Sequence, residues 1–284
     1  NDASLYRNSS QIAQVNAAAG KSYVPLKEGI YDLLKRAKAL CEKTGGRFDL
    51  TIAPVVELWG ITTDSPRVPT QAEIDAVLPL VSYQDLLLDD ATQSAMLAKE
   101  GQAIDLGGIA KGTAVDIAFA KYREAGITSG YISLGGNIGV IGPKADGKPF
   151  RIGLRDPLGG SNDIFGKLAM SGGVIATTGG YERFFEKDGV RYHHVLDPAT
   201  GYPANSDLLS VSIIAPEGEI ADFLSTYFFI AGEKAVKENL NREQFQIIAI
   251  DKDHNVILSD SLKGAFTLQA NTNHYQLENE ETHD

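Results

Sequence analysis

The clearest periodicity in the chain lies within residues 26–44. Ile30, Leu33, Leu34, Ala37, Leu40 and Cys41 recur there at helical spacing, with Lys35, Arg36 and Lys38 on the opposite face. That stripe predicts an amphipathic helix, stopped by Gly45 and Gly46. Cys41 lies on the apolar stripe and so reads as a core thiol rather than a nucleophile. The segment RFDLTIAPVVELWGI then runs through Pro54 to Trp59, the only tryptophan, and a polar loop follows over residues 62–70. A short helix is predicted from Gln71 to Leu78, entered from Pro69-Thr70. LLLDD and SAMLA read as the two strands of a hairpin.

Further along, AIDLGGIAKGTAVDIAFAKYREAGI predicts a strand, a glycine loop and a helix from Thr113 to Ala125. GYISLGGNIGVIG predicts two strands around a Gly-Gly turn. More strands are expected at PFRIGLRD, GKLAMSGG, VIATTG and LLSVSIIAP. FFEKDGVRYHHVLD predicts a hairpin with Asp188-Gly189 at its tip. GEIADFLSTYFFIAGEKAVKENL predicts a helix in two parts around Gly232, and FQIIAIDKDHNVILSD a last hairpin. No repeat, linker or charge block marks a boundary. This irregular mixture predicts an α+β fold, with mixed, largely antiparallel sheets and packed helices, rather than a doubly wound sheet. Residues 1–270 are expected to form one domain and 271–284 an acidic, loose tail.

Composition narrows the function classes. The 284 residues are 43% hydrophobic and 22% charged, ordinary values for a globular chain. With 26 Lys+Arg against 37 Asp+Glu, the net charge is −11. That balance argues against nucleic acid or an anionic membrane surface as a partner. A single cysteine allows no internal disulfide and no thiolate metal cluster. No apolar run approaches the roughly 20 residues that span a bilayer. The opening NDASLYRNSSQ reads as neither a signal nor a transit peptide, so a processed or trimmed chain is expected.

Four segments could carry chemistry. Asp105-Leu106-Gly107-Gly108-Ile109-Ala110-Lys111-Gly112-Thr113 has Lys-Gly-Thr where a P-loop needs Gly-Lys-Ser/Thr, so the Walker reading fails. It remains either an anion site, built from backbone N–H groups, a helix N-terminus and Lys111, or an ordinary connection. Gly135-Gly136-Asn137 leads into a strand instead of a helix and reads as hairpin backbone, not a dinucleotide fingerprint. In Tyr192-His193-His194-Val195-Leu196-Asp197, a histidine with a nearby carboxylate suits acid–base work, or is a hydrogen-bonded structural residue. Strand alternation would let only one of the two histidines face a site. Asp222 and Thr226, at i and i+4 on a helix, either offer oxygen ligands to a hard cation such as Mg2+ or belong to a helix whose first turn merely prefers an acid.

Taken in order, these segments resemble the ApbE family, the FAD:protein FMN transferases. The resemblance runs through SLYRNSSQIAQVN, GGRFDLTIAPVVELWGI, DLGGIAKG, GYISLGGNI, IATTGGYER, HVLDPATGYP, LLSVSIIAP and ADFLSTYFFIAG. Gln11, Thr178 and Gly180 depart from the usual residues. The family's opening segment, with a Met-Gly-Thr-like strand at the flavin pocket, is expected to lie outside this chain. The resemblance implies a bacterial enzyme that moves FMN from FAD to a Ser or Thr hydroxyl of an acceptor protein and releases AMP. FAD would be surrounded by Tyr6, Asn16, Arg47, Phe48, Asp49, Asp105, Lys111, Thr178, His194 and Asp197. Mg2+ would be held by Asp222, Thr226 and the carbonyl of Gly108. His194 or Asp197 would serve as the base. Acceptors would be subunits of redox complexes of the Rnf or Na+-translocating NADH:quinone reductase type, and the enzyme an extracytoplasmic, membrane-associated lipoprotein. Hydrolysis of FAD to FMN and AMP, or flavin binding without catalysis, are the alternative readings.

Overall fold

A computed structural model describes residues 10–270 and 275–278. These fall into two compact units, Asn1–Gly108 with Arg183–Ala204, and Ile109–Glu182 with Asn205–Asp284. Each unit is therefore assembled from separate stretches of chain. No linker composition marks the crossings because each lies inside a loop or motif.

The first stretch opens with α1 (Gln11–Ala17), capped by the Ser10 hydroxyl on the Ala13 N–H. β1 (Val24–Pro25) leads into α2 (Glu28–Lys43). Its buried face is the predicted Leu33, Leu34, Ala37, Leu40 and Cys41, joined by Tyr31, which the stripe did not include, with Ile30 half-buried. Gly45 and Gly46 end it with φ of 60° and 80°. Burial pushes the Cys41 thiol well above its ordinary range, as expected of a core cysteine. The apolar segment around Pro54 forms α3 (Ala53–Trp59), which no periodicity announces. α4 (Gln71–Val77) starts from a reciprocal cap between Thr70 and Glu73. β2 (Leu86–Asp89) and β3 (Ser94–Leu97) form the predicted hairpin, extended by β1 on the other edge of β3.

The second unit begins with α5 (Ala110–Glu124), three residues earlier than Thr113 suggests. β4 (Gly130–Leu134) and β5 (Asn137–Ile141) pair through the Gly135-Gly136 turn, whose φ values are 56° and 94°. β6 (Phe150–Arg155), β7 (Ile164–Met170) and β8 (Gly173–Gly179) follow.

The chain returns to the first unit for β9 (Phe184–Lys187) and β10 (Val190–His193). Asp188 and Gly189 join them at φ 53° and 77°, the left-handed pair that a two-residue hairpin turn demands. Below this segment, Trp59, Val55, Ile61, Ile74 and Leu196 form a small core, and the Trp59 indole donates to Gly201 O at 2.7 Å.

The last stretch adds β11 (Leu208–Ala215), α6 (Gly218–Ala231), α7 (Glu233–Glu238), β12 (Gln246–Asp251), β13 (Asn255–Leu258), β14 (Phe266–Leu268) and β15 (Gln276–Leu277). Gly232, at φ 86°, separates α6 from α7 as predicted. The main sheet has the order β15-β13-β12-β11-β8-β5-β4, and a second has β14-β7-β6. Every pairing in them is antiparallel except β13 with β15. The α+β expectation is thus met. Ile175, Ile214 and Ile248 on one face of the main sheet pack with Leu154, Phe165, Leu168 and Phe266 of the small sheet. α5 and α6 cover the opposite face. Four residues of the segment expected to be a loose tail belong to this unit: Tyr275 is buried and its hydroxyl donates to Asp156, while Gln276–Leu277 pair with β13. The rest of that tail lies outside the described residues.

Candidate functional site

In the second unit, α5 and α6 start side by side because two glycines let their backbones touch. A Cβ on Gly112 would lie 2.0 Å from Gly218 O, and one on Gly218 would lie 2.5 Å from Gly112 O. Asp116 of α5 accepts the N–H groups of Gly218 (2.6 Å) and Glu219 (2.8 Å), which are otherwise unsatisfied first-turn donors of α6. The Thr113 hydroxyl reaches Ile109 O and Glu219 Oε2, both at 3.0 Å.

This packing sets Asp222 one turn into α6, only 2% exposed, against the start of α5. Its Oδ2 accepts the Gly112 N–H at 2.9 Å, and its Oδ1 takes the Lys111 ammonium at 3.2 Å. Thr226 follows on the same face, half-buried, with Oγ1 3.3 Å from Asp222 O. Thr178 of β8 joins them: its hydroxyl lies 2.8 Å from Ser225 Oγ and 3.3 Å from Thr226 Oγ1. Lys111, Thr178, Asp222 and Thr226, drawn from three separate motifs, thus form one cluster. Sequence reasoning missed Gly112 and Ser225. A glycine inside a helix is a readable sign of close backbone approach, whereas Ser225 carries no such sign.

The cluster offers a buried carboxylate and several hydroxyl oxygens, with no imidazole or thiolate. Among the described residues there is no group of three or more His, Cys, Asp or Glu side chains fit to hold a metal ion. A donor set of one carboxylate and hydroxyls suits a hard cation that keeps waters or substrate oxygens in its shell, not zinc.

The first unit gathers the other expected residues around two backbone braces. Asn16 clamps Ile104, accepting its N–H at 2.8 Å and donating to its carbonyl at 3.1 Å. Asp105 N–H donates to Leu50 O at 2.8 Å, and Ile52 bridges Ala103, so residues 50–52 and 103–105 run side by side. A full strand is not formed at AIDLG as expected. The Asp105 carboxylate accepts the Gly107 N–H at 2.7 Å, shaping the turn in which Gly108 sits half-buried.

Asp49 is 6% exposed and fully engaged: Thr51 N–H (2.8 Å) and Thr51 hydroxyl (2.7 Å) on Oδ1, Tyr83 N–H (2.8 Å) on Oδ2. Burial holds this carboxyl above the usual carboxylate range despite those three donors. Phe48 is buried beside it and Arg47 is exposed. Arg47 and Asp49, with Tyr83, Pro198 and Ala199, line a cleft of about 270 Å³. The Asp197-Pro198-Ala199-Thr200-Gly201 turn is held by Asp197 Oδ1 on Ala199 N–H (2.9 Å) and by Gly201 N–H on Asp197 O (2.8 Å).

The two histidines diverge, though not by strand alternation alone. His193 ends β10, and its Nε2 lies 3.1 Å from Ala204 O. His194 sits just past the strand, with Nδ1 3.2 Å from Arg183 O. A carbonyl only accepts, so Nδ1 carries the proton and the basic lone pair of neutral His194 is on Nε2. Tyr6 lies outside the described residues.

The ApbE family model matches residues 1–250. An FAD:protein FMN transferase of Klebsiella pneumoniae is 35% identical over 262 residues, covering 92% of this chain and 81% of its own. One from Treponema pallidum is 36% identical over 242 residues, 81% of this chain and 67% of its own. The crystal structure of the ApbE protein of Thermotoga maritima superposes with a TM-score of 0.86 at 37% identity, over 93% of this chain and 86% of that one. With the motifs in family order and the fold shared, the chain belongs to the ApbE family.

Proposed function

We propose that this protein is an FAD:protein FMN transferase that uses Mg2+ and joins FMN to a Ser or Thr hydroxyl of an acceptor protein. The observation that carries this proposal is the buried Asp222, with the Lys111 ammonium on its carboxylate and the Ser225 and Thr226 hydroxyls on its main-chain carbonyl, both in reach of the Thr178 hydroxyl. FAD presents a diphosphate, and a chain of net charge −11 needs local positive charge to hold it. Asp222 and Thr226 would hold the divalent cation, which would supply neutralisation of charge on the phosphate oxygens. Lys111 and the N–H groups at the start of α5 add further positive field.

The reaction forms a bond from the acceptor oxygen to the FMN-side phosphorus and breaks the bond from that phosphorus to the bridging oxygen, so AMP leaves. The hydroxyl proton goes to a base. In this proposal His194 would accept it through Nε2, with Asp197 as the alternative base. The acceptors would be subunits of redox complexes of the Rnf or Na+-translocating NADH:quinone reductase type, and the enzyme would be an extracytoplasmic, membrane-associated lipoprotein, periplasmic or at the cell surface.

Incubation with FAD, Mg2+ and an acceptor peptide, read by in-gel flavin fluorescence and AMP chromatography, tests the reading. A fluorescent peptide with matching AMP is expected. Free FMN and AMP without labelled peptide would mean FAD hydrolysis, and neither product would mean flavin binding only. In the same assay His194→Asn is expected to bind FAD but transfer FMN about 10²-fold more slowly, with His193→Asn nearly unaffected. A fast His194→Asn enzyme would move the base role to Asp197.

A further inference from the structure

Asp222 is a buried carboxylate whose two oxygens have unequal partners. Oδ2 is fixed by a backbone N–H, that of Gly112 at 2.9 Å, which has no side-chain freedom to withdraw. Oδ1 faces a side chain, the Lys111 ammonium at 3.2 Å. The pair is lopsided in exposure, with the Lys111 side chain 43% exposed and that of Asp222 only 3%. Lys111 therefore reaches in from solvent to cover a charge that cannot reach out. Its stem passes over Gly135, where an added Cβ would come 3.2 Å from Lys111 Cδ. Gly135 has φ 56°, in the left-handed region where glycine is unstrained, so the hairpin turn itself leaves room for the lysine stem.

We propose that Lys111 is an exchangeable counter-cation: it covers Asp222 Oδ1, yields that oxygen to a divalent cation, and is thereby released as a ligand for substrate phosphate. The inference rests on the cation site proposed above. A divalent cation and an ammonium cannot share one oxygen at close range without strong repulsion. Of the partners of Asp222, only the lysine has a flexible, half-exposed stem on which to withdraw. Its charge then stays near the start of α5, where an anion is also favoured by the helix N-terminus. Cation and diphosphate binding become coupled through one side chain, because occupancy of Asp222 by the cation makes the ammonium available.

The test is Mn2+ affinity, read from the electron paramagnetic resonance signal of free Mn2+, in wild type, Lys111→Met, Lys111→Arg and Asp222→Asn without FAD. Removing the competing charge should tighten Mn2+ binding about tenfold in Lys111→Met, while Lys111→Arg stays near wild type. Lys111→Gln gives the same reading should the Met variant fail to fold. Equal or weaker binding in the neutral variants, with Asp222→Asn still losing the ion, overturns the exchange and leaves the cation site standing. Unchanged binding in Asp222→Asn overturns both.

Discussion

Asp49 in the first unit and Asp222 in the second are both buried carboxylates that the family resemblance assigns to the site. Their surroundings differ in kind. Asp49 accepts three hydrogen bonds from Thr51 and Tyr83, two of them from backbone N–H groups. These tie residues 49–51 to residues 82–83 and form one wall of the cleft. The Asp222 carboxylate has a single backbone donor and a half-exposed lysine ammonium, and the Ser225 and Thr226 hydroxyls lie on its main-chain carbonyl. A carboxylate satisfied by its own backbone organises a loop, whereas one satisfied by a side chain that can withdraw is available to a ligand. Burial alone does not separate these roles. The identity of the donors does.

Exchanging the Asp222 carboxylate for an amide has the largest expected effect. Asp222→Asn keeps shape and one acceptor, so the denaturation midpoint should stay near wild type while FMN transfer falls by about 10²–10³-fold or more. Full transfer by a folded Asp222→Asn enzyme would erase the distinction between the two carboxylates. Asp49→Asn should do the reverse in kind. An amide cannot accept on its nitrogen, so at least one of the three donors loses its partner, at a cost of about 1–3 kcal/mol in urea unfolding. No loss of stability would mean that Asp49 is not the brace its contacts suggest.

Much of this architecture is legible in the sequence, and the exceptions have physical causes. The α2 stripe, the Asp188-Gly189 hairpin and the break at Gly232 are local features, fixed by periodicity or by residues that tolerate positive φ. α3 is not legible, because Ala53, Pro54, Val55 and Trp59 are all buried and seven residues leave no polar face to define a period. α5 starts at Ala110 rather than Thr113 because Thr113 is drawn to Ile109 O and Glu219, a tertiary partner no local pattern encodes. In the site, the pairing of Asp222 with Thr226 follows from helical spacing. Its approach to Lys111 depends on the Gly112–Gly218 contact between segments more than 100 residues apart. Ser225 stays hidden because its role comes only from where Thr178 falls on β8.

Glu73 is an exposed carboxylate held by side-chain and backbone donors together, and its expected effect is the smallest. The Arg67 guanidinium, then the Thr70 N–H and hydroxyl, pull its carboxyl from the ordinary 4.5 to about 2. The folded value lies below the unfolded one, so the stabilisation is complete above pH 4.5 and is lost as the pH falls through 2. Solvent screening keeps it small. Glu73→Gln should melt slightly below wild type at neutral pH, with the gap closing in acid. A gap that widens in acid would contradict the sign.

Whether Asp222, and not Asp49, is the cation-binding carboxylate is decided by a Mn2+ titration of wild type, Asp49→Asn and Asp222→Asn, each confirmed folded by circular dichroism. Wild type and Asp49→Asn should each bind one ion, and Asp222→Asn should lose it. Retention of the ion by Asp222→Asn, or its loss from a folded Asp49→Asn, would contradict that assignment.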